Sequence, residues 1–194
     1  MKKKLFLFSL ISMVVITTHA QLGFKGGATF SNVRGSDVSD TKGKAGFYVG
    51  PFYNIGISDN ISVQAEAIYS AEGAKDKTDN DKIDLNYVDI SALFRYNTSG
   101  FFVGTGPQYG ILASAKLKSS GSTTDVKDMF KTGNFTWAFA VGYDLDMGLG
   151  FYARYALGLS KIEKDQAGVT PDVKTSCFYL GLRYNLKMHN AEKK

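Results

Sequence analysis

From residue 22 to residue 187, apolar and polar side chains alternate almost one by one. That period of two belongs to extended strands with unlike faces. The stretch "GFYARYALGLS" shows it plainly. Phe151, Ala153, Tyr155, Leu157 and Leu159 make one series, while Tyr152, Arg154, Ala156, Gly158 and Ser160 make the other. Helical spacing is absent. The alternation predicts eight strands, at 22–32, 44–57, 60–73, 84–97, 100–117, 133–146, 149–162 and 174–187. Tight turns at Ser58-Asp59, Thr98-Ser99 and Met147-Gly148 follow the second, fourth and sixth strands. Longer polar loops of mixed charge (33–43, 74–83, 118–132 and 163–173) follow the others.

The two faces differ in bulk as well as polarity. One collects Phe24, Phe30, Phe47, Val49, Tyr53, Val63, Tyr69, Val88, Ile90, Phe94, Tyr96, Val103, Tyr109, Phe135, Trp137, Phe139, Phe178, Leu180 and Leu182, with no charge among them. The other is mostly Gly, Ala, Ser, Thr, Asn and Gln, with the ions Lys25, Glu66, Asp89, Arg95, Arg154 and Arg183. An eight-stranded barrel is only just wide enough inside for side chains to fill it, so the bulky series belongs outside. A water-facing exterior would carry dense Lys, Glu and Asp, and neither series does. The expectation is an all-β, eight-stranded, antiparallel up-and-down transmembrane β-barrel with Arg154 inward and Leu157 in lipid. Short turns at one end and long loops at the other are the layout of bacterial outer-membrane barrels.

The N-terminus supports export. Lys2, Lys3 and Lys4 precede an apolar run from Leu5 to Ile16, and Thr18-His19-Ala20 supplies small residues before Gln21. This is the pattern of a cleaved secretory signal, residues 1–20, too short to be a membrane helix. The barrel is expected over 21–188 and a short polar tail over 189–194. Three of the 23 basic residues and no acid lie in the leader, so the formal charge falls from +5 to +2 on cleavage. That gives no basic face for nucleic acid. Cys177 is the only cysteine, so stability must come without disulfides.

Candidate chemistry is sparse. Of two histidines, His19 leaves with the leader and His189 lies beyond the last strand, so an enzyme needing a positioned base is not expected. Asp76, Asp79, Asp81 and Asp84 loosely suggest a calcium loop. They lack its Gly and terminal Glu and are interleaved with Lys75, Lys77 and Lys82. No metal and no cofactor are expected. The sharpest constellation is a lumen polar network of Glu66, Asp89, Arg95, Arg154 and Arg183. Strand positions place Glu66, Asp89, Arg154 and Arg183 within roughly 10 Å along the barrel axis. Arg154 is expected to pair with Glu66 or Asp89, as a structural filling of the lumen. Pro51 and Pro107 sit in matching Gly-Pro-x-Tyr strings inside strands, where bulges are expected to accommodate them.

The strings "GFKGGATFSNV", "GFYVGPFYNIGIS", "GTGPQYGIL", "FYARYALGLSKI" and "FYLGLRYNL" resemble the PorT-like outer-membrane β-barrel family of Gram-negative bacteria. The resemblance runs through the chain after residue 20 and implies an integral barrel in the outer membrane. It implies no biochemical role, since one fold hosts many. The tail "KMHNAEKK" departs from the terminal aromatic common in outer-membrane barrels. The expected partners are outer-membrane lipid and a protein at the long outward loops, with the barrel monomeric and its role structural or interactive. A soluble lipocalin-like barrel carrying an apolar ligand, or a narrow solute pore, are the alternatives.

Overall fold

A computed structural model describes residues 21–34, 41–76, 81–119, 122–164 and 173–186. The leader, both histidines and the tail beyond 186 lie outside them. The strands are β1 (Gln21–Arg34), β2 (Thr41–Gly56), β3 (Ile61–Asp76), β4 (Lys82–Thr98), β5 (Phe101–Ser119), β6 (Ser122–Asp125), β7 (Gly133–Asp144), β8 (Leu149–Gly158) and β9 (Lys174–Asn185). Every neighbour is antiparallel, in the order β4-β3-β2-β1-β9-β8-β7-β5-β6, and β4 also pairs with β5. That last pairing closes eight strands into a barrel and leaves the short β6 as an extension of β5. Closure gives each of the eight barrel strands a partner on both sides, which a membrane demands of a sheet.

The faces segregate as the alternation predicts. Phe24, Phe47, Ile90, Phe94, Phe139 and Leu180 stand out from the wall, while Lys25, Glu66, Asp89, Arg95, Arg154 and Arg183 are buried inside. On the outer wall, Trp137 Nε1–H donates to Thr105 Oγ1 at 2.8 Å. The bond satisfies a polar tip that lipid would leave bare. The lumen nevertheless holds more bulk than the sequence suggests. Tyr48, Phe52, Phe102, Tyr152 and Tyr179 all point inward. Inward glycines make the space: a Cβ on Gly23 would lie 2.2 Å from the Phe52 ring, and one on Gly181 2.2 Å from the Tyr48 hydroxyl. Small residues thus sit opposite large ones.

Several local expectations are corrected. The turn after β4 is Ser99-Gly100 rather than Thr98-Ser99, with φ of 45° and 84°. Positive φ at both central residues is the hairpin turn that matches strand twist. β8 stops at Gly158, because the chain then folds over the mouth and buries Ile162. β6 was unforeseen, since its four residues are all exposed and carry no apolar face to signal a strand. The prolines mark no bulges. Pairing of β2 with β3 skips Gly50-Pro51 and resumes in the same register, and pairing of β4 with β5 does the same across Gly106-Pro107. Register shifts lie instead between Gly43 and Tyr48, and between Asn86 and Tyr87. At each Gly-Pro the strands press close: a Cβ on Gly50 would lie 2.2 Å from the Ala67 carbonyl oxygen, and one on Gly106 2.0 Å from that of Ala92.

Candidate functional site

The lumen is layered from the short-turn end upward. At its entrance, a water-accessible vestibule of about 640 Å³ is lined by Gln21, Asn54, Asp59, Asn97 and Asp144. Asp144, at the end of β7, accepts from Arg95 Nη2 at 3.1 Å and lies 3.3 Å from Arg183 Nε. Both guanidinium groups stack on rings. Arg95 lies 3.8 Å from the Phe102 centroid, and Arg183 4.3 Å from that of Phe52. Stacking uses the flat guanidinium face and leaves its edge for hydrogen bonds.

Glu66 on β3 anchors the next layer. Its Oε2 accepts from Arg154 Nη1 at 2.5 Å and from Ser91 Oγ at 2.9 Å. Its Oε1 lies 2.5 Å from Lys25 Nζ and also accepts from Gln64 Nε2. Arg154 Nη2 donates to Gln108, while Arg95 Nη1 donates to Gln64 at 2.6 Å and so links the two layers. A carboxylate gripped by two cations and two neutral donors has its lone pairs fully used, the condition under which a buried ion is tolerated.

Above this, Ser70 donates to Asp89 Oδ2 at 2.5 Å, its oxygen lying 3.2 Å from Glu72, and Tyr179 O–H donates to Glu72 at 2.7 Å. The long-loop end is apolar. Leu85, Tyr87, Leu112, Ala115, Val126, Phe130, Ile162 and Val173 pack together as a plug. Backbone bonds from Ile162 N to Val173 O and from Lys131 N to Ile162 O, with the Phe130–Glu163 bridge, hold it in place.

The five ions singled out from sequence all line this lumen, in successive layers, with Gln64 joining Arg95 to Glu66. Arg154 meets Glu66. Arg95 and Arg183 turn to Asp144 instead, and Asp89 pairs with Ser70 rather than with Arg154. The pairing of Arg154 with Asp89 is therefore set aside. Sequence reasoning missed Glu72, Asp144, Gln64, Gln108 and Tyr179 as network members. Parity already placed Gln64, Gln108 and Glu72 on the inner face; the identity of each partner depends on which strands face across the lumen. Among the described residues no group of acidic, Cys or His side chains is arranged to hold a metal.

The space left amid Lys25, Glu66, Phe102, Tyr152, Arg154 and Arg183 is about 10 Å³, room for one water at most. A lumen closed at mid-height and an apolar exterior favour neither a solute pore nor a soluble carrier.

The sequence profile of the family described as outer membrane protein beta-barrel domain matches residues 17–164. No curated protein matches the sequence. Among solved structures, the barrel is similar to the attachment invasion locus protein Ail of Yersinia pestis, solved with the heparin analogue sucrose octasulfate. The TM-score is 0.51 at 18% identity, over 87% of this chain and 100% of that one. It is also similar to Neisserial surface protein A, with a TM-score of 0.56 at 14% identity and the same coverage, 87% and 100%. At such identities these likenesses establish the fold alone. The profile match covers most of the sequence, and the chain belongs to the outer membrane protein β-barrel domain family, an integral barrel of the outer membrane.

Proposed function

We propose that the protein is a closed, monomeric scaffold whose role is structural or interactive, exerted by its long-loop end outside the cell. The observation that carries this reading is the obstruction of the lumen: ion-paired and aromatic layers leave about 10 Å³ at mid-height, and an apolar plug closes the outer end. A non-enzymatic role is supported by buried carboxylates already engaged with neighbours. Short turns on the inner side and long loops outside follow the common orientation of such barrels. The resemblance of the glycine and aromatic strings supports a kinship with the PorT-like group as part of this proposal, without importing a secretion role.

Two measurements test this. Reconstitution in planar bilayers should give no unitary conductance, and regular steps would refute the plugged lumen. Ser58→Cys and Ser99→Cys should resist an impermeant thiol label until the outer membrane is opened, while Thr123→Cys on β6 should label in intact cells. The reverse pattern would show the orientation to be inverted.

A further inference from the structure

The outer wall above the apolar belt carries a basic cluster that the lumen does not use. In register, Lys42 stands opposite Lys75, Lys75 opposite Lys82, and Lys82 opposite Lys118, one lysine from each of β2, β3, β4 and β5 in a single row. Residues directly opposite in an antiparallel pair share a face. This face is the outward one, because Lys82, Asp84, Asn86 and the lipid-facing Val88 follow one another along it. Nearer the belt lie Lys44 and Lys116. Asp84 is in register with Lys116 and lies 2.7 Å from Lys44 Nζ and 2.8 Å from Lys118 Nζ. Asp125, opposite Lys116 on β6, Asp76, opposite Thr41 next to the Lys42–Lys75 pair, and Asp81, adjacent to Lys82, are further acids beside the row.

Among the described residues, only Lys44 and Lys118 of these six lysines are ion-paired, both to the same Asp84. Like charges directly opposite on neighbouring strands destabilise a sheet. Three such pairs in succession therefore form a surface that an anion would relieve. The wall beneath it meets acyl chains: Phe47, Tyr69, Val88 and Ile111 are exposed there, with the Phe47 and Tyr69 rings 6.0 Å apart. Strand rise and tilt put Asp84 about 10 Å above Val88, at headgroup level. Lysine stems lie along such a wall while their ammonium groups reach polar headgroups.

We propose that this ledge binds phosphate groups of outer-leaflet lipids and holds anionic lipid against β2–β5. The occupant is a lipid rather than free phosphate, because the basic row is continuous with the lipid-facing belt and one molecule satisfies both. The inference rests on the orientation proposed above.

The test uses the full chain from Gln21 onward, refolded into phosphatidylcholine vesicles with or without bis-phosphorylated lipid A. Native mass spectrometry should show the unaltered chain retaining lipid A in preference to phosphatidylcholine. The Lys75→Gln/Lys82→Gln variant should lose that retention by at least about tenfold, as expected for two lysines near an anionic surface. A second readout guards against simple misfolding. In phosphatidylcholine alone the variant should unfold at the same or a higher urea concentration than the unaltered chain, whereas with lipid A it should unfold at a lower one. Equal retention by both chains, or no reversal in urea, overturns the proposal. Displacement of lipid A by millimolar inorganic phosphate overturns its assignment to a lipid. Thiol labelling of Ser58→Cys reports the orientation separately, so failure of that reading is distinguishable from failure of this one.

Discussion

Glu66→Gln should be the most damaging single change in the lumen. The substitution keeps the shape and removes the one negative charge shared by Arg154 and Lys25, each 2.5 Å from a Glu66 oxygen. Breaking one buried pair costs about 3–5 kcal/mol, because the remaining ion is left uncompensated. Here two cations lose their partner at once. The two losses share a residue and do not simply add, so a cost of about 5 kcal/mol or more is expected. Arg154→Leu should cost less, about 3 kcal/mol, because Glu66 keeps Lys25. Rescue also has a defined direction. Adding Lys25→Met to Glu66→Gln removes one of the stranded cations and should recover much of the loss, whereas adding Glu66→Gln to Arg154→Leu strands Lys25 and should deepen it. Reversible urea unfolding in lipid vesicles, followed by the fluorescence of the lipid-facing Trp137, measures all of these. If Glu66→Gln stays within about 0.5 kcal/mol of the unaltered chain, as surface changes do, the network carries no stability and the reasoning fails.

Three further outcomes follow from other parts of the wall. Leu180→Arg places charge where the side chain is 53% exposed to lipid, and should cost about 2–4 kcal/mol near the midplane in the same unfolding assay; a neutral result would mean that this face meets water. Gly50→Ala and Gly106→Ala each drive a methyl against a neighbouring strand's carbonyl and should cost about 1–3 kcal/mol by overpacking, whereas Pro51→Ala, at an interruption in the ladder, should be mild; equal tolerance of all three would remove the close approach as the reason for the Gly-Pro pair. Asp84 stands above the belt, where partial burial opposes its ionisation but hydrogen bonds and charges from Lys118 and Lys44 outweigh it and hold its carboxyl below the usual carboxylate range. Its contribution should therefore be fully present above the unfolded carboxylate value near 3.9 and be lost as pH falls through the lower folded value. Urea midpoints of the unaltered chain and of Asp84→Asn should differ at neutral pH and converge in acid.

Alternation alone determined the class of this protein. A period of two needs only local chain geometry, so the number of barrel strands, the two faces and the direction of Arg154 follow from residue order. The absence of charge on the bulky face then identifies lipid as the solvent, because no partner is needed to see that Phe94, Phe139 and Leu180 lack a polar neighbour on their side of the strand. Turn chemistry was half legible. "TSGF" marks a hairpin, but its exact centre depends on which residues take positive φ. What only the tertiary structure decided is who meets whom. Arg154 reaches Glu66 across the lumen, 88 residues away, and Arg95 reaches Asp144, since curvature and stagger bring non-adjacent strands face to face. The Gly-Pro strings could not be read as close approaches, because the crowding comes from the carbonyls of Ala67 and Ala92 on other strands. The lysine row on the outer wall was likewise invisible. Lys42, Lys75, Lys82 and Lys118 are scattered in sequence, and only strand register, fixed cooperatively by the closed ladder, sets them side by side.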